Sequence, residues 1–465
     1  MSNEPTNTTR TRNRASEIIV SGHVWKAVWY LAWPSAINTF IMSAYGIING
    51  IFVGRLPNAE QALAAVGIGG AALMVQFALI FGVSVGASAL IARFVGAQDL
   101  NEADEAAGQS LTLALLVGIL SGLPLVLLAR PICAGIGAQG PVIALAGDYT
   151  AIISWFSAPM FIYFVAQTAL RGTGDMKSPL YAGAVTFGIN AVFDYLLIFG
   201  IGPFPTLGVR GAAFATGISR IAGMVITLWF LRRSILRASF GHLRPKWPWF
   251  ARILHIGWPA VLQNLVWTGA NAAFLIILSI LPGGQATAAQ AAYNVALRIE
   301  SLAFMPGLAF SFAATPLVGQ NIGAGKPERA EHTAWVATGQ AAMIMASVAV
   351  LFVVAPRWLA LIFTSDKHVV PLIVSYLLIN AVSEPFLAVG MVLRGALQGA
   401  GDTRTPMWIS VLTLWVIRLP LAWFLARYVG YAASGAWIAM SASTILSGLL
   451  VAAWFKWGTW RTLRI

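Results

Sequence analysis

Of the sixteen acidic residues in the chain, Asp194, Glu300 and Glu384 fall well inside long apolar runs. A charge held in hydrocarbon costs about 2.5–3.5 kcal/mol even on the lenient insertion scale, so each is a functional candidate. The chemistry open to such a carboxyl is exchange of a proton or a cation, because either one removes the cost of the bare charge. Asn190 stands four residues before Asp194, which puts both side chains on one helix face. Asn49 is six residues before Arg55 and Thr216 six after Arg210. Asp194 reaches a similar depth, about six residues or roughly 9 Å from the end of its run. The competing reading of Asp194 is a structural hydrogen-bonding residue. Glu300, within Arg298-Ile299-Glu300-Ser301, is either a second protonation site or the buried partner of a basic group such as Arg418. Glu384 either serves a cleft or belongs to a helix opening at Pro385, which breaks the hydrogen-bond ladder.

The elements that must carry these groups follow from composition. Of 465 residues, 58% are hydrophobic and 10% charged, with a mean hydropathy of +0.77, which excludes a water-soluble domain. Apolar runs long enough to cross roughly 30 Å of hydrocarbon as helices span about 27–54, 62–91, 107–130, 142–169, 180–200, 210–232, 252–281, 287–318, 333–356, 369–396, 406–427 and 432–456. The fold class expected is an all-α integral membrane protein of twelve transmembrane helices in two pseudo-symmetric six-helix bundles. The polar stretch before the first run carries no cleavage site and is expected to be a mobile cytosolic tail. Of 29 Lys and Arg, 20 fall in the tails and alternate loops of one side and 6 on the other, which orients both termini to the cytoplasm. The net charge of +13 is accounted for by that topology signal and calls for no nucleic acid. The single cysteine, Cys133, reads as a packing residue.

Compared with itself at an offset near 226, the chain repeats. WPSAINTFIMSAYGIINGIFVGRLP aligns with WPAVLQNLVWTGANAAFLIILSILP, pairing Pro34 with Pro259, and ALRGTGDMKSP (169–179) aligns with ALQGAGDTRTP (396–406). Six helices per repeat return the chain to the same side, so the halves are related by an axis along the membrane normal, with a binding cleft between them. The organisation expected is a tail over 1–26, an N-lobe over 27–233, a linker over 234–251 and a C-lobe with its tail over 252–465. The repeated G-x-G-D-x-[KR]-[ST]-P block suits a tight turn capped by Asp175 or Asp402. Gly46, Gly50 and Gly54 are expected to admit a close helix neighbour. Pro34 and Pro259 either kink the first and seventh helices or begin them.

PLVGQNIGAGKPERA (316–330), LRGALQGAGDTRTP (393–406), ALRGTGDMKSP and GINAVFDYLLIFG (188–200) carry a resemblance to the multidrug and toxic compound extrusion (MATE) family, most similar to its DinF-like branch. The resemblance implies two six-helix bundles around an alternating V-shaped cleft. It also implies an N-lobe cation site from acidic and amide groups on the first and fifth helices plus a hydroxyl on the sixth, which maps onto Asp194, Asn190 and Thr216. Where that branch has an Asp in the first helix, this chain has Asn49. One carboxylate in place of two suits a proton better than sodium.

The function expected is secondary export of lipophilic, mostly cationic, drugs in exchange for protons, sodium being the other coupling ion considered. Asp194, Asn190, Asn49, Thr216 and Glu300 are the coupling candidates. Asn38, Tyr45, Gln167, Asn264, Trp267, Asn271 and Glu384 are the cleft candidates. No cofactor, metal or nucleic acid is expected, the partners being small drugs and membrane lipids, and a monomer in the bacterial inner membrane is anticipated. The alternative is a lipid-linked oligosaccharide flippase of the same superfamily. A membrane enzyme is disfavoured by the lack of a nucleophile constellation, and a channel by the lack of a pore loop.

Overall fold

A computed structural model describes residues 14–281 and 285–463, which form helices and connecting turns without strands. Twelve spans follow one another. They are α1 (Val24–Val53), α2 (Ala59–Ala97), α3 (Leu100–Leu127), α4 (Pro141–Trp155 with Ser157–Gly172), α5 (Lys177–Phe199), α6 (Val209–Arg233), α7 (Trp247–Ser279), α8 (Ala286–Gly323), α9 (Pro327–Val354), α10 (Val369–Ala381 with Glu384–Ala400), α11 (Arg404–Arg427) and α12 (Ala432–Trp457). Their outward faces are apolar, with Leu120 and Leu127 of α3 each 70% exposed, as suits helices whose solvent is lipid. Two spans read from sequence as continuous runs are bent, α4 by 55° and α10 by 59°. The second segments begin at Ser157 and Glu384, which are 227 residues apart, the offset between Asp175 and Asp402. The bends are therefore related by the internal symmetry. In α10 the cause is Pro385, which has no N–H to continue the ladder.

Four apolar cores show how the lobes meet. At the end bearing the chain termini, one core joins the start of α1 (Val24, Ala27, Val28, Leu31, Ala32) to α8, α9, α10 and α12. A second joins the start of α7 (Trp249, Phe250, Ile253, Ile256) to α2, α3 and α4. Each half's first helix is thus rooted in the other half. At the opposite end the cores are private, one built from α1–α6 and their connections, the other from the C-terminal half. The lobes are closed where the termini lie and separate at the far end.

Glycine makes the closure possible. A Cβ at Gly82 of α2 would stand 2.9 Å from the Gly257 carbonyl oxygen of α7, and one at Gly323 of α8 would meet the Arg93 carbonyl oxygen of α2. Gly46 and Gly50 play no such part, contrary to expectation, because a Cβ at either would meet nothing within 4 Å. A four-residue spacing gives a small-residue face but does not say whether a helix sits against it.

The N-terminal segment is also unlike its expectation from Arg14 onward; residues 1–13 lie outside the described region. Arg14–Ser21 is a helix with Ile19 fully buried. Its end is held by Arg329, which donates to the Ile19 carbonyl at 3.1 and 3.2 Å and to that of Gly22, and by Lys326, which donates to Val20 at 3.1 Å. Interleaved apolar residues (Ile18, Ile19, Val20) let a short polar-looking segment dock. The connection between α6 and α7 is likewise pinned, since Gln109 of α3 donates to the carbonyls of His242 and Arg244 and accepts from the Lys246 N–H.

Pro34 and Pro259 lie inside α1 and α7, not at their starts. The G-x-G-D turns form as reasoned. Asp175 accepts from the Lys177 and Ser178 N–H groups at 3.0 Å, and Asp402 from that of Thr405 at 3.1 Å. Gly174 and Gly401 take the positive φ (87° and 90°) that the turns require. Cys133 is buried against Thr150.

Candidate functional site

In the N-terminal half, Asp194 is fully buried on α5 and neither carboxylate oxygen has a hydrogen-bond partner. Asn190, one turn earlier, has an unpaired Nδ2, and buried Asn49 on the adjacent α1 has an unpaired Oδ1. Buried polar atoms are rarely left unpaired, so these orphans make this group the candidate site of the N-terminal half. The Tyr45 hydroxyl, one turn before Asn49, donates to Thr216 Oγ1 at 2.9 Å and ties α1 to α6. Packing of Phe52 on Tyr195 and Phe199 holds α1 against α5 beside the carboxyl. Asp194 is close enough to act electrostatically on both Tyr45 and Tyr149.

Arg220, one turn after Thr216, was not among the sequence candidates. It is 8% exposed, its guanidinium stacks over Tyr45, Tyr163 and Phe164 at 5.2, 5.5 and 5.2 Å, and its Nε is unpaired. Tyr45, Tyr163 and Arg220 share a small cavity of about 40 Å³. Tyr45 thereby interacts with both the Arg220 guanidinium and the Asp194 carboxyl. The signal available in sequence was the four-residue step from Thr216 to Arg220.

A second cavity, about 370 Å³, lies in the C-terminal half, lined from α7, α8, α10, α11 and α12, with Phe81 of α2 also on its wall. Of the cleft candidates, Asn264 and Trp267 line it; Gln263, Gln398, Arg394 and Arg418 do so without having been named for it. The wall from α11 is π-helical over Val411–Arg418, and its wider turns bring Ser410, Leu414 and Arg418 onto the cavity together. Of the other cleft candidates, Tyr45 faces the small cavity. Asn38 is buried on α1 with Oδ1 unpaired, and half-buried Asn271 lines neither cavity. Gln167 is fully buried and accepts from Arg171 at 2.8 Å.

Glu300 and Glu384 converge behind this cavity. Tyr376 of α10 donates its hydroxyl to Glu300 Oε2, and Glu384, 1% exposed in the first turn after the α10 bend, has an unpaired Oε2 and senses the Glu300 charge. Glu384 lies out of the cavity wall, while its neighbours Phe386 and Leu387 form part of it. Arg418 acts on Glu300 electrostatically but donates elsewhere, to Ser443 at 2.8 Å and Thr444 at 3.0 Å. Tyr376 sits on Trp437, which stacks on Tyr293 at 5.9 Å.

Twelve spans in two six-helix halves that close on each other at one end and hold buried carboxyls and a lined cavity define a multi-pass membrane transporter. The MatE family model matches residues 34–196 and 259–424, one segment in each half, and the chain belongs to that family. The "Probable multidrug resistance protein NorM" of Thermotoga maritima is 30% identical over 434 residues, 92% of each chain. The "FAD transporter" of Shewanella oneidensis is 26% identical over 93% of this chain and 94% of its own. A structure described as the outward-facing conformation of a multidrug resistance MATE family transporter superposes with a TM-score of 0.88 at 25% identity, covering 96% of this chain and 98% of that one.

Proposed function

We propose that this chain is a secondary multidrug exporter of the bacterial inner membrane, both termini cytoplasmic, that exchanges inward protons for outward lipophilic compounds by alternating access. Relatives named as multidrug resistance proteins support the exporter over the oligosaccharide flippase. The observation that carries the coupling is Asp194, a fully buried carboxyl with both oxygens unpartnered, with the buried amides of Asn190 and Asn49 on the same and the adjacent helix. A lone carboxyl takes up one proton and becomes neutral, whereas a dehydrated sodium ion asks for a fuller set of oxygen ligands.

The transmission is short. Asp194 acts on Tyr45, Tyr45 holds α1 to α6 and lies under Arg220, and the start of α1 is built into the core of the other half. Gain or loss of the Asp194 charge therefore biases the helix shared by both lobes, which is the differential interaction an alternating equilibrium needs. With the termini inside, closure at their end makes this conformation outward-facing. Exchange of one proton for one monovalent cation would be driven by the pH gradient alone, about 1.4 kcal/mol per unit. A second proton on the Glu300–Glu384 pair would add about 2.3 kcal/mol per 100 mV.

The test is drug export from proteoliposomes under separately imposed pH, sodium and voltage gradients, wild type against Asp194→Asn. Export should follow the pH gradient and lose that dependence in the variant. Unchanged pH-driven export in Asp194→Asn, or sodium-driven export by the wild type, would refute the coupling scheme.

A further inference from the structure

The helix Arg14–Ser21 lies across the seam between the two halves. On the side of the first half it covers the α4–α5 turn. A Cβ at Gly174 would stand 2.7 Å from Ile19 Cδ1 and 3.3 Å from the Ala15 methyl group, and Met176 of the same turn shares an apolar core with Ile19 and Val20. On the side of the second half it meets the end of α8 and the start of α9. Arg329 donates to the carbonyls of Ile19 and Gly22, Lys326 to that of Val20 at 3.1 Å, and Asn321 to that of Ile19 at 3.4 Å. Next to this segment the halves also touch directly, Gln320 of α8 donating to the Gly172 carbonyl of α4 at 2.8 Å.

The internal repeat sets these donors apart. At the 227-residue offset Gly323-Ala324 answers to Gly96-Ala97, which aligns Lys326 and Arg329 with Asp99 and Glu102. The first half therefore carries acids where the second carries the clamping cations, and Asp99 caps its own helix by accepting from the Glu102 N–H at 3.2 Å. Carboxylates accept hydrogen bonds and could not hold carbonyl oxygens. The cations suit their target, because the last carbonyls of a helix lack partners and form its negative end, where Lys and Arg are favourable. Eight residues held through Ile19 and a few polar contacts can leave their seat without unfolding a span, as low-stability elements of switches do.

We propose that Arg14–Ser21 is a latch on the terminus-bearing end of the transporter. Docked, it ties the α4–α5 turn of the first half to the α8–α9 turn of the second and favours the conformation closed there; opening of that end requires it to leave the α4–α5 turn. The latch sets the balance between conformations and takes no part in binding drug or proton. It rests on the alternating-access reading, but it is tested without drug or gradient, so that its failure and a failure of coupling at Asp194 are separate results.

The experiment measures how fast a maleimide modifies the cysteine of an Ala92→Cys protein in nanodiscs, which expose both faces. Ala92 is fully buried and packed against Gly319 of α8. Native Cys133, buried at the opposite end, is read in the same peptide digest. Two changes are made in this background: Ile19→Asn, which puts an amide into the apolar seat, and Arg329→Gln, which removes the donors to Ile19 and Gly22 from a half-buried position. Each should speed labelling at position 92 by about tenfold, the weight of one hydrogen bond to a charged group, with Cys133 unchanged. Ile19→Val should label as the parent does. Parental labelling at position 92 in the Arg329→Gln protein overturns the latch, whether or not Ile19→Asn folds. So does an equal acceleration at Cys133, which would mean that the whole protein is loosened.

Discussion

The closed end of the molecule offers a quantitative perturbation at Gly82. Its α-carbon faces Gly257 across the α2–α7 contact, and an alanine Cβ would lie 2.9 Å from a backbone carbonyl oxygen, with the Val261 side chain also in its way. Val261 can rotate, but the carbonyl is fixed by its helix, so the helices must part. Overpacking of this kind costs about 1–3 kcal/mol. The helix-propensity gain of Gly→Ala is the same in any conformation that keeps α2 intact, so it cancels from the balance between states. The cost falls on the state in which α2 and α7 touch, and at 1.4 kcal/mol per decade the population opened at the terminus-bearing end should rise by about 5- to 150-fold.

The assay is the rate at which a membrane-impermeant maleimide modifies a cysteine placed at Ala92. Ala92 is fully buried, and a Cβ on Gly319 of α8 would fall 2.7 Å from its methyl group. The native Cys133 is buried in the opposite half of the lobe and contributes little background. The Gly82→Ala protein should label faster by that factor, from the side bearing the termini, and Val261→Ala added to it should recover only part of the difference. Wild-type labelling rates in a correctly inserted Gly82→Ala protein would refute the claim that this contact holds the lobes shut.

Three further outcomes are expected. Tyr376→Phe should lower thermal stability by about 1–3 kcal/mol, the usual range for a buried hydrogen bond to an acidic group, and a cycle with Glu300→Gln should be non-additive; additive losses would mean that the two side chains do not act together. Arg329→Gln should raise amide hydrogen exchange across Arg14–Ser21 while leaving α9 protected, because this side chain carries the donors to Ile19 and Gly22; unaltered exchange would show the segment to be held by apolar packing alone. In the loop before α10, the N–H groups of His368 and Val369 donate to Asp366 at 2.7 and 3.1 Å and hold its carboxyl below the usual carboxylate range. A depressed value means that the stabilisation is present at neutral pH and is lost as the pH falls through the folded value, below about 4. Exchange in the first turn from Val369, corrected for its intrinsic pH dependence, should therefore accelerate in acid in the wild type and be pH-independent in Asp366→Asn.

Much of the architecture was legible in the chain itself, for reasons local to it. Lipid requires each span to satisfy its own backbone, so apolar length alone located twelve helices, and the duplicated G-x-G-D turns revealed the two halves. The same argument singled out Asp194, because a carboxyl in an apolar run is conspicuous whatever its neighbours. Side-chain spacing also placed Asn190 beside it.

What the sequence could not contain were relations between helices distant along the chain. That the starts of α1 and α7 are rooted in opposite halves depends on which glycines meet a carbonyl and which meet nothing. Gly82 and Gly46 are indistinguishable until their neighbours are present. The bends of α4 and α10 and the π-helical stretch of α11 arise where backbone hydrogen bonding yields to packing, and they decide which polar residues face a common space. In the sequence Arg220 and Arg418 read as single charges within helices and Arg394 as one of the charges on the cytoplasmic side. Only tertiary structure sets the first beneath three aromatic rings and brings the other two to one cavity, because convergence is a property of packed surfaces and not of any one strand of sequence.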